Sequence, residues 1–216
     1  TLIDKRFAEK RREAISFESA GKTALPGSAS DYEGSSTTHL SVIDKDCNVV
    51  AATESIECCL GSGVVIPEVG IIMNDEMHDF DPKPGSINSI EPGKRPRSSM
   101  SPTVVMKDGR PLLVLGSAAG PRIITATLQV LLNVLDFGMT LPKAVSAPRF
   151  HCQESTLVLE GAFPERAAAG VSRLGHPIER RPPLDLFFGG VQALQVRAQG
   201  ILGMGDPRRD GVAMGI

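Results

Sequence analysis

The alternation of polar and apolar positions becomes regular at Thr38. Thr38, Leu40 and Val42 fall on one face and His39, Ser41 and Ile43 on the other, which predicts a half-buried strand over 38–44. The stretch ahead of it, residues 27–36, follows neither the helical nor the strand period and reads as loop. A second strand is predicted over 48–55, joined by the hairpin-like Lys45-Asp46-Cys47. Short apolar runs beside glycine follow at 61–67 and 70–74. Residues 75–97, rich in Pro, Gly, Lys and Asp, read as an ordered surface loop. Residues 103–106 and 111–115 flank the turn Lys107-Asp108-Gly109 as a further hairpin.

Pro121 opens the clearest helical pattern. Ile124, Leu128, Leu131, Leu132 and Leu135 recur at 3–4 spacing until Gly138, and the apolar residues between them predict a helix covered on most sides. A short helix over 141–145, a strand over 156–160 and a helix over 164–174 with Gly175 at its C′ position follow. The last hairpin pairs 191–197 with 201–204. Residues 1–15 read as a helix whose charges (Lys5, Arg6, Glu9, Lys10, Arg12, Glu13) form a solvated face, against a stripe of Ile3, Phe7, Ala14 and Ile15. Residues 17–36 show no element, and a loop that long in a compact domain is functional or processed. Strands paired by hairpins, with helices grouped between them, predict an α+β fold with a mainly antiparallel sheet.

Composition narrows the function classes. The 216 residues are 41% hydrophobic, enough for one good core or two small ones. A net charge of −2 gives no bulk field toward nucleic acid or acidic membrane. No apolar run approaches the roughly 18 residues of a membrane span, and Thr1 to Arg6 carry no signal-peptide pattern. Cys47, Cys58, Cys59 and Cys152 lack metal-ligand or disulfide spacing and read as small buried or half-exposed thiols, so no metal is expected.

Local chemistry alone leaves several candidates open. Ser98-Ser99-Met100-Ser101 and Gly116-Ser117-Ala118-Ala119-Gly120 are hydroxyl-rich, yet neither fits Gly-x-Ser-x-Gly. A serine triad with His39, His78 or His151 is the kind of triple any chain of this length offers. The glycine-rich turn could present N–H groups to an anion, but it lacks the Gly-Lys-Ser/Thr of a phosphate loop. Glu76-Met77-His78-Asp79 lacks metal-ligand spacing and suits either a carboxylate pocket for a cation or an exposed acidic loop. Thr37 by itself is an ordinary threonine at the start of a strand.

Longer motifs decide between them. Thr37-Thr38-His39-Leu40-Ser41-Val42-Ile43-Asp44-Lys45-Asp46, Gly61-Ser62-Gly63, Gly70-Ile71-Ile72-Met73-Asn74, Lys94 to Thr103, Ala147-Pro148-Arg149-Phe150-His151 and Gly205-Asp206-Pro207-Arg208 resemble the gamma-glutamyltranspeptidase family, in its order and spacing. The resemblance implies an N-terminal-nucleophile (Ntn) hydrolase fold, a four-layer αββα sandwich of mainly antiparallel sheets, of which this chain is the small-subunit part. It implies self-cleavage between Ser36 and Thr37, with residues 1–36 as the tail of the large subunit and 37–216 as the small subunit. Thr37 would be the nucleophile, Ser55 its hydrogen-bonding partner, and Ala119 and Gly120 the oxyanion hole. Glu57, Glu76 and Asp79 would hold the donor's α-amino group, and Ser98 and Ser99 its α-carboxylate.

The implied reaction is gamma-glutamyl transfer or hydrolysis on glutathione-like amides, with water or an amine as acceptor and without a cofactor. The implied partner is the large subunit, which carries the family's carboxylate-clamping arginine. Two departures stand out: Glu57 where the family has asparagine, and Ala119 where it has glycine. The segment 79–94 is also short for the family's lid loop, which implies an open site. A glutaryl or cephalosporin acylase on the same fold is the alternative within the class. An unprocessed, non-enzymatic homologue or fragment is the alternative outside it.

Overall fold

A computed structural model of the chain describes residues 5–13, 15, 16, 18, 19, 35–153 and 155–215. The fold is α+β, with strands paired antiparallel at every register but one. The helix expected over 1–15 is present as α1 (Lys5–Glu13). The side chains of Ile3, Phe7 and Ala14 lie outside the described residues, as does most of the 17–36 loop. Ile15, the remaining member of the predicted stripe, is exposed.

Two sheets meet face to face. β1 (Ser35–Ile43) and β2 (Val49–Cys58) form the first. The second has the order β11-β10-β6-β5, with β5 (Thr103–Lys107), β6 (Arg110–Ala118), β10 (Gly190–Arg197) and β11 (Gly200–Met204). Strand periodicity assigns the two faces of β6 and β10. Leu113, Leu115, Val191 and Ala193 point outward into the core beneath α2 (Arg122–Leu135) and α3 (Leu141–Ser146). There they meet Ala126, Val130, Leu141, Ala144 and Val145. Fully buried leucines such as Leu113 and Leu115 contribute about 1.5–3 kcal/mol each.

The opposite face of this sheet receives β1 and β2. Two glycines make that contact close. The imidazole of His39 lies where a Cβ on Gly116 would stand, and the aliphatic stem of Arg209 lies 2.9 Å from a Cβ built on Gly190. Any larger residue would push one sheet off the other. These layers, helices over sheet over sheet, are three of the four that the αββα sandwich contains. The outer face of β1, with Leu40 60% exposed and Val42 and Val50 beside it, carries no described layer.

The helix α2 differs from expectation. Ile123, Ala126, Thr127 and Val130 are its buried face, whereas Ile124, Leu128, Leu132 and Leu135 are half exposed. Periodicity finds an apolar stripe but cannot say which of two stripes meets the sheet. The remaining elements are the small hairpin of β3 (Val65–Ile66) and β4 (Ile71–Ile72), and a layer of β7 (Phe150–Gln153), β8 (Thr156–Glu160) and β9 (Ile178–Arg181). β8 and β9 are parallel, linked over a second small core by α4 (Glu165–Arg173).

Candidate active site

Thr37 stands where the pairing of β1 with β2 breaks. Ser35 faces Cys58 and Thr37 faces Ser55, so β2 carries one extra residue opposite the Ser36–Thr37 bond. The bulge is accommodated by Glu57, whose φ of +66° is left-handed. Bulges bend a strand and re-aim its side chains, and here Ser55 is turned onto Thr37. The Thr37 Oγ1 and Ser55 Oγ lie 3.0 Å apart, and the Glu57 N–H donates to the same Ser55 oxygen at 2.9 Å. With one acceptor direction of Ser55 taken by that N–H, its own proton is available to Thr37. Thr37 is 5% exposed, and its carbonyl accepts from Arg209 Nη1 at 3.1 Å.

His39, two residues on, is locked by Thr53 Oγ1 on Nδ1 (2.7 Å) and Ser41 Oγ on Nε2 (3.0 Å). Burial lowers its pKa to about 4, so it is neutral at physiological pH. Hemmed in by hydroxyls and by Gly116, it fixes β1 against β6. His78 belongs to the 3-10 turn Glu76–Asp79, and His151 is buried against Thr125, 2.8 Å away. No described contact joins any of the three histidines to Ser98, Ser99 or Ser117, so the serine-triad candidate gains nothing.

The acidic residues converge. Carboxylate oxygens of Glu57, Glu76 and Asp79 lie within 4.8 Å of one another, and no other such cluster with metal-holding geometry occurs among the described residues. The turn carrying Glu76 and Asp79 is tied to β2 by Asp75, whose Oδ1 accepts the Cys58 N–H at 3.0 Å. All three carboxyls are pushed up from their ordinary values. For Glu57 and Glu76 the cause is desolvation and then neighbouring acids; for Asp79 it is desolvation, with Arg97 pulling the other way. Three carboxyls that disfavour one another's charge make a ready receptor for a cation that neutralises them.

The sign of the pH effect follows. Over the interval between the ordinary carboxylate value and the raised one, the folded state binds more protons than the unfolded chain. Stability therefore falls as pH rises through that interval, from about pH 4 upward. Glu57→Gln is expected to flatten this fall, which thermal melts at stepped pH will read.

The other two predicted sets of site residues lie on neighbouring elements. Asn88, unmarked in the sequence, donates from Nδ2 to the Asp79 carbonyl (2.7 Å) and accepts the Arg97 N–H (3.0 Å). It thereby holds Ser98 and Ser99 near the acidic turn. Ser98 is exposed and Ser99 half buried. Ala119 and Gly120 leave the end of β6 immediately before α2, where N–H groups and the helix dipole favour negative charge. Gly120 has φ +54°, and buried Ala119 has φ +146°, a region where an L side chain is strained. Ala119→Gly is expected to stabilise the protein by about 1 kcal/mol while keeping the N–H in place, as urea unfolding will show.

Comparison with known proteins places the chain and its fold. The family model for gamma-glutamyltranspeptidase matches residues 1–216. The chain belongs to the gamma-glutamyltranspeptidase family. It is 39% identical to a glutathione hydrolase proenzyme of Pseudomonas sp. (strain A14), covering 99% of this chain and 41% of that protein. It is 40% identical to an acylase ACY 1 proenzyme of Pseudomonas sp. (strain SE83), covering 100% and 38%. A gamma-glutamyltranspeptidase from Pseudomonas nitroreducens complexed with L-DON superimposes with a TM-score of 0.76 at 39% identity, over 83% of this chain and 99% of that one. The chain thus spans about two fifths of the curated relatives it matches. The expected Ntn-hydrolase fold is the fold of this family.

Proposed function

We propose that residues 37–216 are the nucleophile-bearing part of a gamma-glutamyl transferase or hydrolase that cleaves its own precursor before Thr37. Residues 1–36 are then the tail of the large subunit, and that subunit, the implied partner, covers the exposed outer faces of β1 and α2. The observation that carries this reading is the Thr37–Ser55 hydroxyl pair at 3.0 Å, placed at a bulge opposite the Ser36–Thr37 bond. A second observation agrees: the 83% of this chain that covers 99% of the Pseudomonas nitroreducens chain is the share that residues 37–216 make up.

The chemistry runs in two stages. Thr37 Oγ attacks the Ser36 carbonyl, and the acyl group shifts from nitrogen to oxygen as the C–N bond breaks and the hydroxyl proton passes to the Thr37 nitrogen; water then hydrolyses that ester and leaves the Thr37 amine free. A terminal amine has a pKa near 8 rather than the ~10 of lysine, so it can take the proton of its own hydroxyl. The hydroxyl next attacks the gamma-glutamyl carbonyl. The oxyanion falls to the N–H groups of Ala119 and Gly120, the leaving amine takes the proton that the Thr37 amine had accepted, and the acyl group passes to water or an acceptor amine. Glu57, Glu76 and Asp79 hold the donor ammonium, and Ser98 and Ser99 donate hydrogen bonds to its carboxylate.

The acylase reading is kept alive by the similarity to the acylase ACY 1 proenzyme. The acidic trio argues against it, because a glutaryl donor has no ammonium to offset three carboxyls. With full-length precursor, gamma-glutamyl anilide is expected to turn over at least about tenfold faster than glutaryl anilide, the difference of roughly one lost charge-assisted contact. Preference for the glutaryl substrate would replace this reading with the acylase one, and no turnover of either would remove both.

A further inference from the structure

Arg209 has no part in the family resemblance above, yet its side chain binds the main chain of the candidate nucleophile. It leaves the C-terminal turn, whose backbone closes by Arg209 N–H to the Asp206 carbonyl at 3.1 Å. Its stem crosses β10 over Gly190, with Cβ, Cγ and Cδ all 2.9 Å from a Cβ built there. Its Nη1 then donates to the Thr37 carbonyl at 3.1 Å. Standard backbone dimensions put the nitrogen of Thr37 within about 6 Å of that guanidinium nitrogen.

We propose that Arg209 is a positioning residue for the terminal amine of Thr37, holding its backbone and keeping the amine in the neutral, proton-accepting form. This rests on the reading of Thr37 as an N-terminal nucleophile. The cause is charge. A guanidinium stays cationic, and an ammonium one residue-width away is disfavoured relative to the free amine. The other charged or titratable groups on the elements packed against Thr37 make the need for it clear. His39 on β1 is neutral at physiological pH. Glu54 and Glu57 on β2, with Glu76 and Asp79 beyond, favour an ammonium. Arg110 and Arg197 sit at the far ends of β6 and β10. Asp206, on the same turn as Arg209, is engaged by Arg149 and Arg208. Arg209 is thus a cation held at the Thr37 backbone, opposing an acidic neighbourhood that favours the protonated base, whereas Arg97 acts on Asp79.

The test is the pH profile of kcat/KM for gamma-glutamyl anilide, using processed full-length protein, in wild type, Arg209→Gln and Arg209→Lys. Arg209→Gln is expected to move the acid limb up by about 0.5–1 pH unit, the Coulomb effect of one charge at that distance in a water-rich environment. KM on the plateau should change less than about twofold, and Arg209→Lys should restore most of the limb. Should Arg209→Gln fail to self-cleave, Gly190→Ala decides: it displaces the stem while keeping the charge, and is expected to shift the limb in the same direction. Rates that fall equally at all pH values, with the limb unmoved, would make Arg209 merely structural and overturn the proposal while leaving Thr37's role intact. Wild type without any turnover would overturn the nucleophile reading, and this inference with it.

Discussion

Arg149→Met is expected to destabilise the protein by about 3–5 kcal/mol, the cost of breaking a buried ion pair from one side. Arg149, Asp206, Arg208 and Glu160 are all buried, and two cations face two anions. Arg149 Nη2 meets Asp206 Oδ2 at 2.6 Å, and Arg208 Nη2 meets Glu160 Oε2 at 2.6 Å. Arg208 Nη1 also reaches Asp206 Oδ1 at 3.1 Å. Arg149 further donates to the carbonyls of Phe188, Gly189 and Val145, while Asp206 accepts the Val191 N–H at the head of β10. Methionine fills the volume but takes the guanidinium donor from the Phe188 and Gly189 carbonyls and the facing cation from Asp206 Oδ2, in a buried site. Because Asp206 opens the turn that delivers Arg209, the loss also loosens the support of Thr37. Urea unfolding of full-length protein reads the effect, and Arg149→Met with Asp206→Leu should cost less than the sum of the two single changes.

Thr37→Ala is expected to remove both self-cleavage and turnover, because one hydroxyl serves both stages. Thr37→Ser keeps a hydroxyl and should cleave and turn over, more slowly, since it lacks the methyl group that restricts χ1. Ser55→Ala removes the group that orients the nucleophile without removing the nucleophile. A drop in kcat of about 10–100-fold, with KM little changed, is the expected result, as loss of orientation alone has that scale. Initial rates on gamma-glutamyl anilide separate the three variants.

The strands and their hairpins were legible because alternation and turn residues are local signals. β1, β2, β5, β6, β10 and β11 all lie where periodicity puts them, within a few residues at each end. β9 was not legible: Ile178-Glu179-Arg180-Arg181 has no alternation, and it is a strand because β8 pairs beside it in parallel. β7 was hidden similarly, its Phe150-His151-Cys152-Gln153 mixing both characters. The exposed stripe of α2 shows the limit from the other side, since an apolar face meant for another part of the protein looks the same as one meant for this core.

The site was legible through long motifs and not through local chemistry. Nothing about a threonine at the head of a strand distinguishes Thr37, and Glu57, Glu76 and Asp79 are separated by some twenty residues before the fold gathers them. Asn88, Asp75 and Arg209 were missed because each acts by a contact made only in three dimensions. Gly190 was the available hint for Arg209. A glycine at the head of a predicted strand signals that something approaches closely, without saying what.

The most direct measurement is the intact mass and N-terminal sequence of the full-length product, made with and without Thr37→Ala. The expected result is a wild-type fragment that begins at Thr37 and a Thr37→Ala chain that stays whole. A wild-type chain that stays uncut, or an alanine variant that still divides after Ser36, would contradict the assignment of Thr37.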